Sequence, residues 1–196
     1  MWYGEFETDR ELQSFWNEGY RGVMVDVGAA HPETISNSLH FRQTGWDVIP
    51  IEPNPRFCDM YRERGWEVLQ YAACAEDMGK ADFELCPLVD EMSCSAIKIR
   101  QREDVPRSII SVTALKLDTI LHRHRPGLER IDALVVDVEG WELEVLRGFS
   151  VDRYTPKVIL LENFTALPEY GKYMSGIGYR LKMQLSYNEF YVRLQD

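Results

Sequence analysis

The sequence lacks the features that would carry a chain through or across a membrane. No apolar run approaches the ~20 residues that a membrane helix needs, and the N-terminus has no basic-then-apolar signal peptide. The four cysteines are unevenly spaced and form no Cys-x-x-Cys pair, which argues against a zinc site and against a disulfide framework. These absences predict a cytoplasmic protein with reduced thiols and no membrane span.

Positive charge is also scarce. The chain has 22 lysines and arginines against 32 aspartates and glutamates. A protein that binds duplex nucleic acid through its phosphates needs an excess of basic over acidic residues, so we expect no nucleic-acid partner. At 196 residues the chain is long enough for one hydrophobic core. We therefore predict a single domain over residues 1–196, which could be excised from a longer protein. The sequence indicates no oligomeric state.

Short apolar strands alternate with helices, which is typical of parallel β-α-β units in an α/β sheet with helices on both faces. The last two strands are joined by a very short turn, so they should pair antiparallel. The pattern predicts strands near 23–27, 46–51, 66–73, 80–85, 109–115, 133–136, 158–161, 178–184 and 187–194. It predicts helices near 8–18, 34–44, 55–64, 117–124, 141–147 and 168–176.

The loop after the first strand has one glycine where a dinucleotide site would have three. V-D-V-G-A-A-H-P at 25–32 continues without a second glycine, so close approach of a pyrophosphate is not expected. S-adenosylmethionine has no phosphate, and one tight turn suffices beneath its methionine end. Backbone amides and small polar side chains of this loop could then receive the ligand's carboxylate. The candidates are Gly28, Ala29, Ala30, Ser36 and Asn37.

Acidic residues end four of the predicted strands. They are Asp26, Glu52, Asp137 and Glu162, and in such sheets ligands bind beyond the carboxyl ends of the strands. A carboxylate at the end of the second strand suits a ribose diol, because it accepts hydrogen bonds from two hydroxyls. Glu52 holds that position, and Asp26 could meet a ligand cation or an amide of the loop.

An ordered set of short motifs spans most of the chain. They are V-D-V-G-A at 25–29, S-N-S at 36–38, G-W at 45–46, I-E-P-N-P at 51–55, Y-A-A at 71–73, L-D-T-I-L at 117–121, D-V-E-G-W-E-L-E-V-L-R-G at 137–148, V-I-L-L-E-N at 158–163 and G-Y at 178–179. Taken together, these motifs resemble those of the FkbM family of S-adenosylmethionine-dependent methyltransferases. The resemblance implies a Rossmann-like class I methyltransferase fold, with a mostly parallel seven-stranded sheet and a C-terminal antiparallel hairpin.

The resemblance also implies a set of residues that bind the cofactor. They are Asp26, Gly28, Ala29, Ala30, Ser36, Asn37, Glu52, Pro53, Asn54, Ala72, Ala73 and Asp137. Two positions depart from the family pattern. Ala30-His31-Pro32-Glu33 replaces the usual asparagine, small residue and glycine. Val135 stands where many members have a lysine.

Methyl transfer to an alcohol calls for a general base, and the acidic strand ends offer several. Asp137 is our first candidate, Glu139 the second, and His31 a further one. Glu142 lies in a first helical turn, where a capping role is equally in keeping with its charge. The same acids could bind magnesium, but oxygen ligands alone are a weak indicator, so we assign no metal site.

The acceptor is expected to be a carbohydrate hydroxyl, because polar and acidic strand ends suit a hydroxyl-rich small molecule or glycan. Two alternatives stay open: a natural-product O-methyltransferase acting on a polyketide, and a non-catalytic module that binds an adenosyl ligand or another protein. Residues 93–107, with Lys98, Arg100, Arg102 and Arg107, could form a lid over the acceptor or simply a solvated charged surface.

Overall fold

The computed structural model describes residues 1–85 and 108–194. After a 3₁₀ turn at Glu5–Glu7, the described helices are α1 (Thr8–Gln13), α2 (Leu39–Gln43), α3 (Pro55–Glu63), α4 (Leu117–His124), α5 (Glu142–Arg147), α6 (Val151–Tyr154) and α7 (Pro168–Gly176). The described strands are β1 (Val23–Val27), β2 (Asp47–Ile51), β3 (Ala72–Cys74), β4 (Gly79–Leu85), β5 (Ser108–Lys116), β6 (Ala133–Val136), β7 (Val158–Glu162), β8 (Tyr179–Leu185) and β9 (Asn188–Arg193). Within these ranges no helix has both the length and the apolar character to cross a membrane.

The central sheet has the strand order β2-β1-β6-β7-β9-β8. Its first four strands run parallel, and β9 and β8 add on antiparallel, as predicted for the last two strands. Val27 lies beside both Ile51 and Val136, and Val136 lies beside Leu161. The carboxyl ends of β1, β2, β6 and β7 therefore reach the same edge, which is where the acidic residues stand.

The predicted count of seven strands in one sheet needs correction. In the described residues six strands form the central sheet, and β3, β5 and β4 form a second sheet of three. The place of a seventh strand beside β2 is marked by a single parallel bridge between Ile51 and Leu69. The chain turns directly after it, because the Tyr71 amide donates back to the Leu69 carbonyl at 3.0 Å.

The same bridge explains a proline inside β2. The Pro50 carbonyl accepts from the Leu69 amide at 2.9 Å, so residue 50 directs its backbone polar groups away from β1 and toward the outer edge. A missing N–H is tolerated on that side of a strand.

Helices cover both faces of the central sheet. On one face Val25, Ile49 and Leu134 pack with Leu121 of α4 and Leu146 of α5. On the other face alternate strand residues pack with helices from the N-terminal half; this cluster contains Met24, Val48, Val135, Leu12 of α1 and Phe41 of α2. This period-two alternation places one hydrophobic core on each side of the sheet.

Two predicted helices are shorter in the structure. The helix expected over 34–44 begins only at Leu39, and the one expected over 8–18 ends at Gln13. Ile35 has a left-handed φ of 53° and is exposed, so it lies outside the helix. By contrast, the helix expected over 55–64 begins at Pro55 and is capped by Asn54, whose Oδ1 accepts from the Arg56 amide at 3.0 Å.

A test of this packing concerns Gly148, where α5 ends against β3. A Cβ added there would lie 2.0 Å from the Cys74 carbonyl oxygen, so we expect Gly148→Ala to lower the free energy of unfolding by about 1–3 kcal/mol. Gly176→Ala is the matched control, because a Cβ at Gly176 would meet no atom within 4 Å. Urea unfolding measures both, and equal stability of the two variants would contradict the proposed contact.

Candidate functional site

The site begins where the loops after β1 and β6 touch. Gly28 has φ of 82°, and a Cβ at this position would lie 1.7 Å from the carbonyl oxygen of Asp137. The amides of Gly28 and Ala29 both donate to the Ile51 carbonyl, at 2.9 and 3.2 Å. The single glycine of the motif thus serves close approach of two backbones, and it draws the ends of β1, β2 and β6 together.

Glu52 is buried at the centre of this junction. Its Oε2 accepts from the Ala30 amide at 2.9 Å, and its Oε1 accepts from the Asn54 amide at 2.7 Å. Burial raises the pKa of the carboxyl to about 7, while the two amide hydrogen bonds act in the opposite direction and the charge of Asp26 adds to the rise. Each oxygen keeps further acceptor capacity, so the carboxylate can hold its loops and also accept from a ligand diol.

Asp26 has a different environment from the one expected. It is buried, its carboxylate accepts from the Ser38 hydroxyl, and its charge interacts with Arg42. Burial raises its pKa to about 6. The structure therefore satisfies Asp26 with a loop hydroxyl and a guanidinium rather than leaving it to a ligand cation. Arg42 itself stacks over the Trp66 ring at 5.0 Å, and no motif in the sequence pointed to it.

The polar residues of the first loop are turned largely toward the protein. His31 is buried, and its Nδ1 accepts from the amides of Glu33 and Thr34 at 3.1 and 2.9 Å. The Ser36 hydroxyl accepts from the Leu39 amide at 3.1 Å, and the Asn37 side chain accepts from the Thr8 hydroxyl. The His31 nitrogen that would take a proton is used within the loop, so His31 is better suited to shaping the loop than to acting as a base.

The side chains of the remaining predicted cofactor residues also make contacts within the protein. Pro53 lies half-buried between Glu52 and Asn54, and the side chain of Asn54 is used to cap α3. Ala72 and Ala73 are buried in β3, and their side chains pack in two separate hydrophobic clusters. Any contact of these two alanines with an adenine ring would have to come from their backbone.

Three carboxylates converge at the ends of β6 and β7. Asp137, Glu139 and Glu162 each place a carboxylate oxygen within 4.8 Å of the others. Burial, followed by the charge of Glu162, raises the pKa of Asp137 well above its ordinary range. Such a cluster can hold a shared proton, accept hydroxyl hydrogen bonds or provide oxygen ligands for a divalent cation. The two base candidates Asp137 and Glu139 are thus brought together, and His31 belongs to the neighbouring loop.

Glu142 organises the loop that presents this cluster. It is fully buried; its Oε1 accepts from the amides of Val138 and Gly140 at 3.1 and 2.9 Å, and its Oε2 accepts from the Tyr170 hydroxyl. The turn between them has left-handed backbone at Glu139. Its place in a first helical turn left a capping role open, but the amides that it receives belong to the loop before α5 rather than to the helix. The link to Tyr170 on α7 could not be foreseen from the sequence. The predicted lid over 93–107 lies outside the described residues.

The contact between Gly28 and Asp137 can be tested separately from backbone strain. Gly28→Ala should cost more stability than Gly19→Ala, because both glycines have φ near 80° but a Cβ at Gly19 would meet nothing within 4 Å. The difference isolates the collision with the Asp137 carbonyl and should be at least about 1 kcal/mol. Urea unfolding of the two variants measures it, and equal losses would show that the two loops are not in close contact.

Comparisons with known proteins identify a family and a related fold. The family model described as "Methyltransferase FkbM domain" matches residues 26–181. A crystal structure of methyltransferase FkbM from Methylobacillus flagellatus KT superposes with a TM-score of 0.55 at 17% sequence identity. The match covers 88% of this chain and 43% of that chain, so the fold is shared while this chain spans less than half of the other. No curated protein matches the chain.

The family match includes both the Glu52 loops and the carboxylate cluster. It extends over most of the chain, and the structural match supports the same fold. The chain therefore belongs to the FkbM methyltransferase domain family.

Proposed function

We propose that this chain is an S-adenosylmethionine-dependent O-methyltransferase that methylates a hydroxyl of a carbohydrate. The observation that carries the proposal is the position of buried Glu52. It accepts amides from two loops, and one of these loops contacts the backbone of Asp137, the first residue of the carboxylate cluster. Gly28 thereby connects Glu52, which we propose binds the ribose diol, with the carboxylate cluster, which we propose supplies the base.

The residues around Glu52 fit an adenosyl cofactor. A carboxylate that accepts one amide at each oxygen, and has capacity for one more donor at each, matches the two hydroxyls of a ribose. The tight turn at Gly28 suits close approach of the methionine end to the backbone of residues 28–30. When bound, S-adenosylmethionine supplies an electrophilic methyl group on its sulfonium. We assign Glu52, Gly28, Ala29 and Ala30 to holding it, while Asp26, Ser36, Asn37 and Asn54 support the loops.

The carboxylate cluster would prepare the acceptor. An alcohol is a poor nucleophile while protonated, so a positioned base should take its proton as the new C–O bond forms. Asp137 is our first choice because its raised pKa makes its carboxylate a stronger base. Glu139 is the second choice, and both can orient the hydroxyl for in-line attack. A hydroxyl-rich carbohydrate fits three acceptor groups better than a largely apolar polyketide does.

Binding of S-adenosylhomocysteine, measured by calorimetry, tests the role of Glu52. Glu52→Ala should weaken binding by about 10- to 100-fold, the range expected for hydrogen bonds to a buried charge. Glu33→Ala is the control, because Glu33 is an exposed carboxylate of the loop after β1, paired with Arg64. Circular dichroism checks that the variant is folded. Unchanged affinity in folded Glu52→Ala would contradict the proposed cofactor site.

The wild-type protein gives an independent test through pH. A ligand hydroxyl donates to the ionised form of Glu52, whose pKa in the free protein is raised to about 7. Affinity for S-adenosylhomocysteine should therefore rise with pH up to about 7 and level off above it. Below that pH it should fall, approaching about tenfold per pH unit, as expected for one linked proton. A flat profile between pH 5.5 and 8 would argue against an ionised Glu52 in the site.

Transfer of an isotope-labelled methyl group onto a panel of sugars tests the catalytic assignment. Asp137→Asn should lower turnover by about 10²- to 10⁴-fold and leave S-adenosylhomocysteine binding nearly unchanged. Asp152→Asn, which alters an exposed acid, should retain activity. Because the carboxylate cluster could also bind Mg²⁺, the assay is repeated with EDTA, and we expect activity to persist. Normal turnover in Asp137→Asn would move the base to another residue, and loss of activity with EDTA would make the cluster a metal site.

A further inference from the structure

Three aromatic side chains from distant parts of the sequence meet beside the carboxylate cluster. Phe6 and Phe164 both lie against Tyr187, with ring centroids 5.5 and 5.2 Å from that of Tyr187. Phe6 and Phe164 are each about half exposed, at 51% and 52%. Large apolar side chains that are exposed together commonly mark a binding surface. We call Phe6, Phe164 and Tyr187 the aromatic cluster.

Backbone contacts place the aromatic cluster next to the proposed catalytic groups. Glu162 lies opposite Asn188 in the register of β7 and β9, so Tyr187 and Phe164 flank that pair. The Asn163 amide donates to the Tyr187 carbonyl at 2.7 Å, which fixes the two chain segments against each other. Glu162 in turn lies within 4.8 Å of Asp137 and Glu139. The rings and the carboxylates therefore form adjoining parts of one surface.

The Tyr187 ring is held in this position by a hydrogen bond of its hydroxyl. This hydroxyl donates to the Glu5 carboxylate. Burial and this hydrogen bond raise the pKa of Tyr187, and the charges of Glu5, Glu162 and Asp137 add to the rise. The segments that carry the rings have left-handed backbone at Phe6, Ala166 and Ser186. Non-glycine residues rarely adopt this conformation unless the surrounding structure enforces it. The backbone that carries the rings is thus held in defined turns.

We propose that the aromatic cluster is the subsite that holds the acceptor, by stacking against the apolar face of a pyranose ring. The inference rests on the proposed function, since it assigns a binding surface to the same reaction. One face of a pyranose carries C–H groups of slightly positive charge, which the negative face of an aromatic ring attracts. Its rim carries hydroxyls, for which the neighbouring carboxylates are acceptors. The aromatic rings would contact the C–H face of the sugar, and the neighbouring carboxylates would accept hydrogen bonds from the hydroxyls of its rim.

Family membership does not account for this subsite. The family model matches residues 26–181, so Phe6 and Tyr187 lie outside it, and only Phe164 lies inside. The cofactor loops, by contrast, all lie inside. Recognition of the acceptor would therefore depend on parts of this chain that the family match does not cover.

Saturation-transfer NMR on the protein saturated with S-adenosylhomocysteine tests the subsite. The probes are the methyl glycosides of glucose, galactose, mannose and rhamnose, with catechol as a flat aromatic alternative. We expect saturation concentrated on C–H protons of one pyranose face. Phe164→Ala and Phe6→Ala should raise the dissociation constant of the bound glycoside by about 3- to 10-fold, the change expected from one aromatic contact. Phe164→Tyr should restore binding.

Met78→Ala is the matched control, because it removes an exposed apolar side chain from the turn before β4 and should leave binding unchanged. Three outcomes would overturn the subsite: no glycoside binds, glycoside binding is unchanged in both phenylalanine variants, or catechol alone binds. The binding of S-adenosylhomocysteine is measured in the same samples. Its absence would contradict the proposed function, whereas its presence without glycoside binding would contradict only the subsite.

Discussion

The buried carboxylate of Glu52 is the interaction on which the arrangement of the strand ends depends. An ionised carboxylate without partners would be very unfavourable in this position, because burial removes its hydration. Here one oxygen receives the Ala30 amide and the other the Asn54 amide. These charge-assisted hydrogen bonds offset part of the desolvation and satisfy two amides in turns that lack a ladder partner. The carboxylate is therefore a structural link between loops before any ligand is present, and a ligand diol would add to bonds already formed.

Several acids lie at this edge of the sheet, and they differ in the hydrogen-bond donors that their carboxylates receive. Glu142 receives two amides and a tyrosine hydroxyl, and Asp26 receives a serine hydroxyl near a guanidinium. Asp137 is different, because burial and the charge of Glu162 raise its pKa well above the ordinary range. Groups whose protonation is perturbed by like charges in a cleft are the usual candidates for chemistry. Glu142 and Asp26, which receive donors from within the protein, are therefore structural acids, whereas Asp137 is the acid available to a substrate.

Most of the strands, and the acids at the ends of four of them, could be predicted from the sequence, because both follow from local patterns. The strand expected over 66–73 is an exception, since β3 covers only Ala72–Cys74. A buried strand reads as a short apolar run, and Asn54-Pro55 is a local capping signal that the structure confirms. The helix expected over 34–44 failed for a physical reason: the Ser36 hydroxyl takes up the Leu39 amide, and Ile35 has left-handed backbone. Side chains of this type compete with helical hydrogen bonding, and spacing alone does not show which side prevails. The contact of Glu142 with Tyr170, and the pairing of Asp26 with Ser38, required knowledge of the tertiary fold.

The N-terminal turn links two parts of the site that are far apart in sequence. Thr8 donates to Asn37 in the first loop, while Glu5 accepts from Tyr187 in the aromatic cluster. Two residues separate these contacts along the chain, so movement of this turn would disturb both. Because these contacts are already made without a ligand, the turn keeps the first loop and the aromatic cluster in a fixed relation. Cofactor and acceptor would then bind to parts of the site that are positioned beforehand, which reduces the ordering that binding requires.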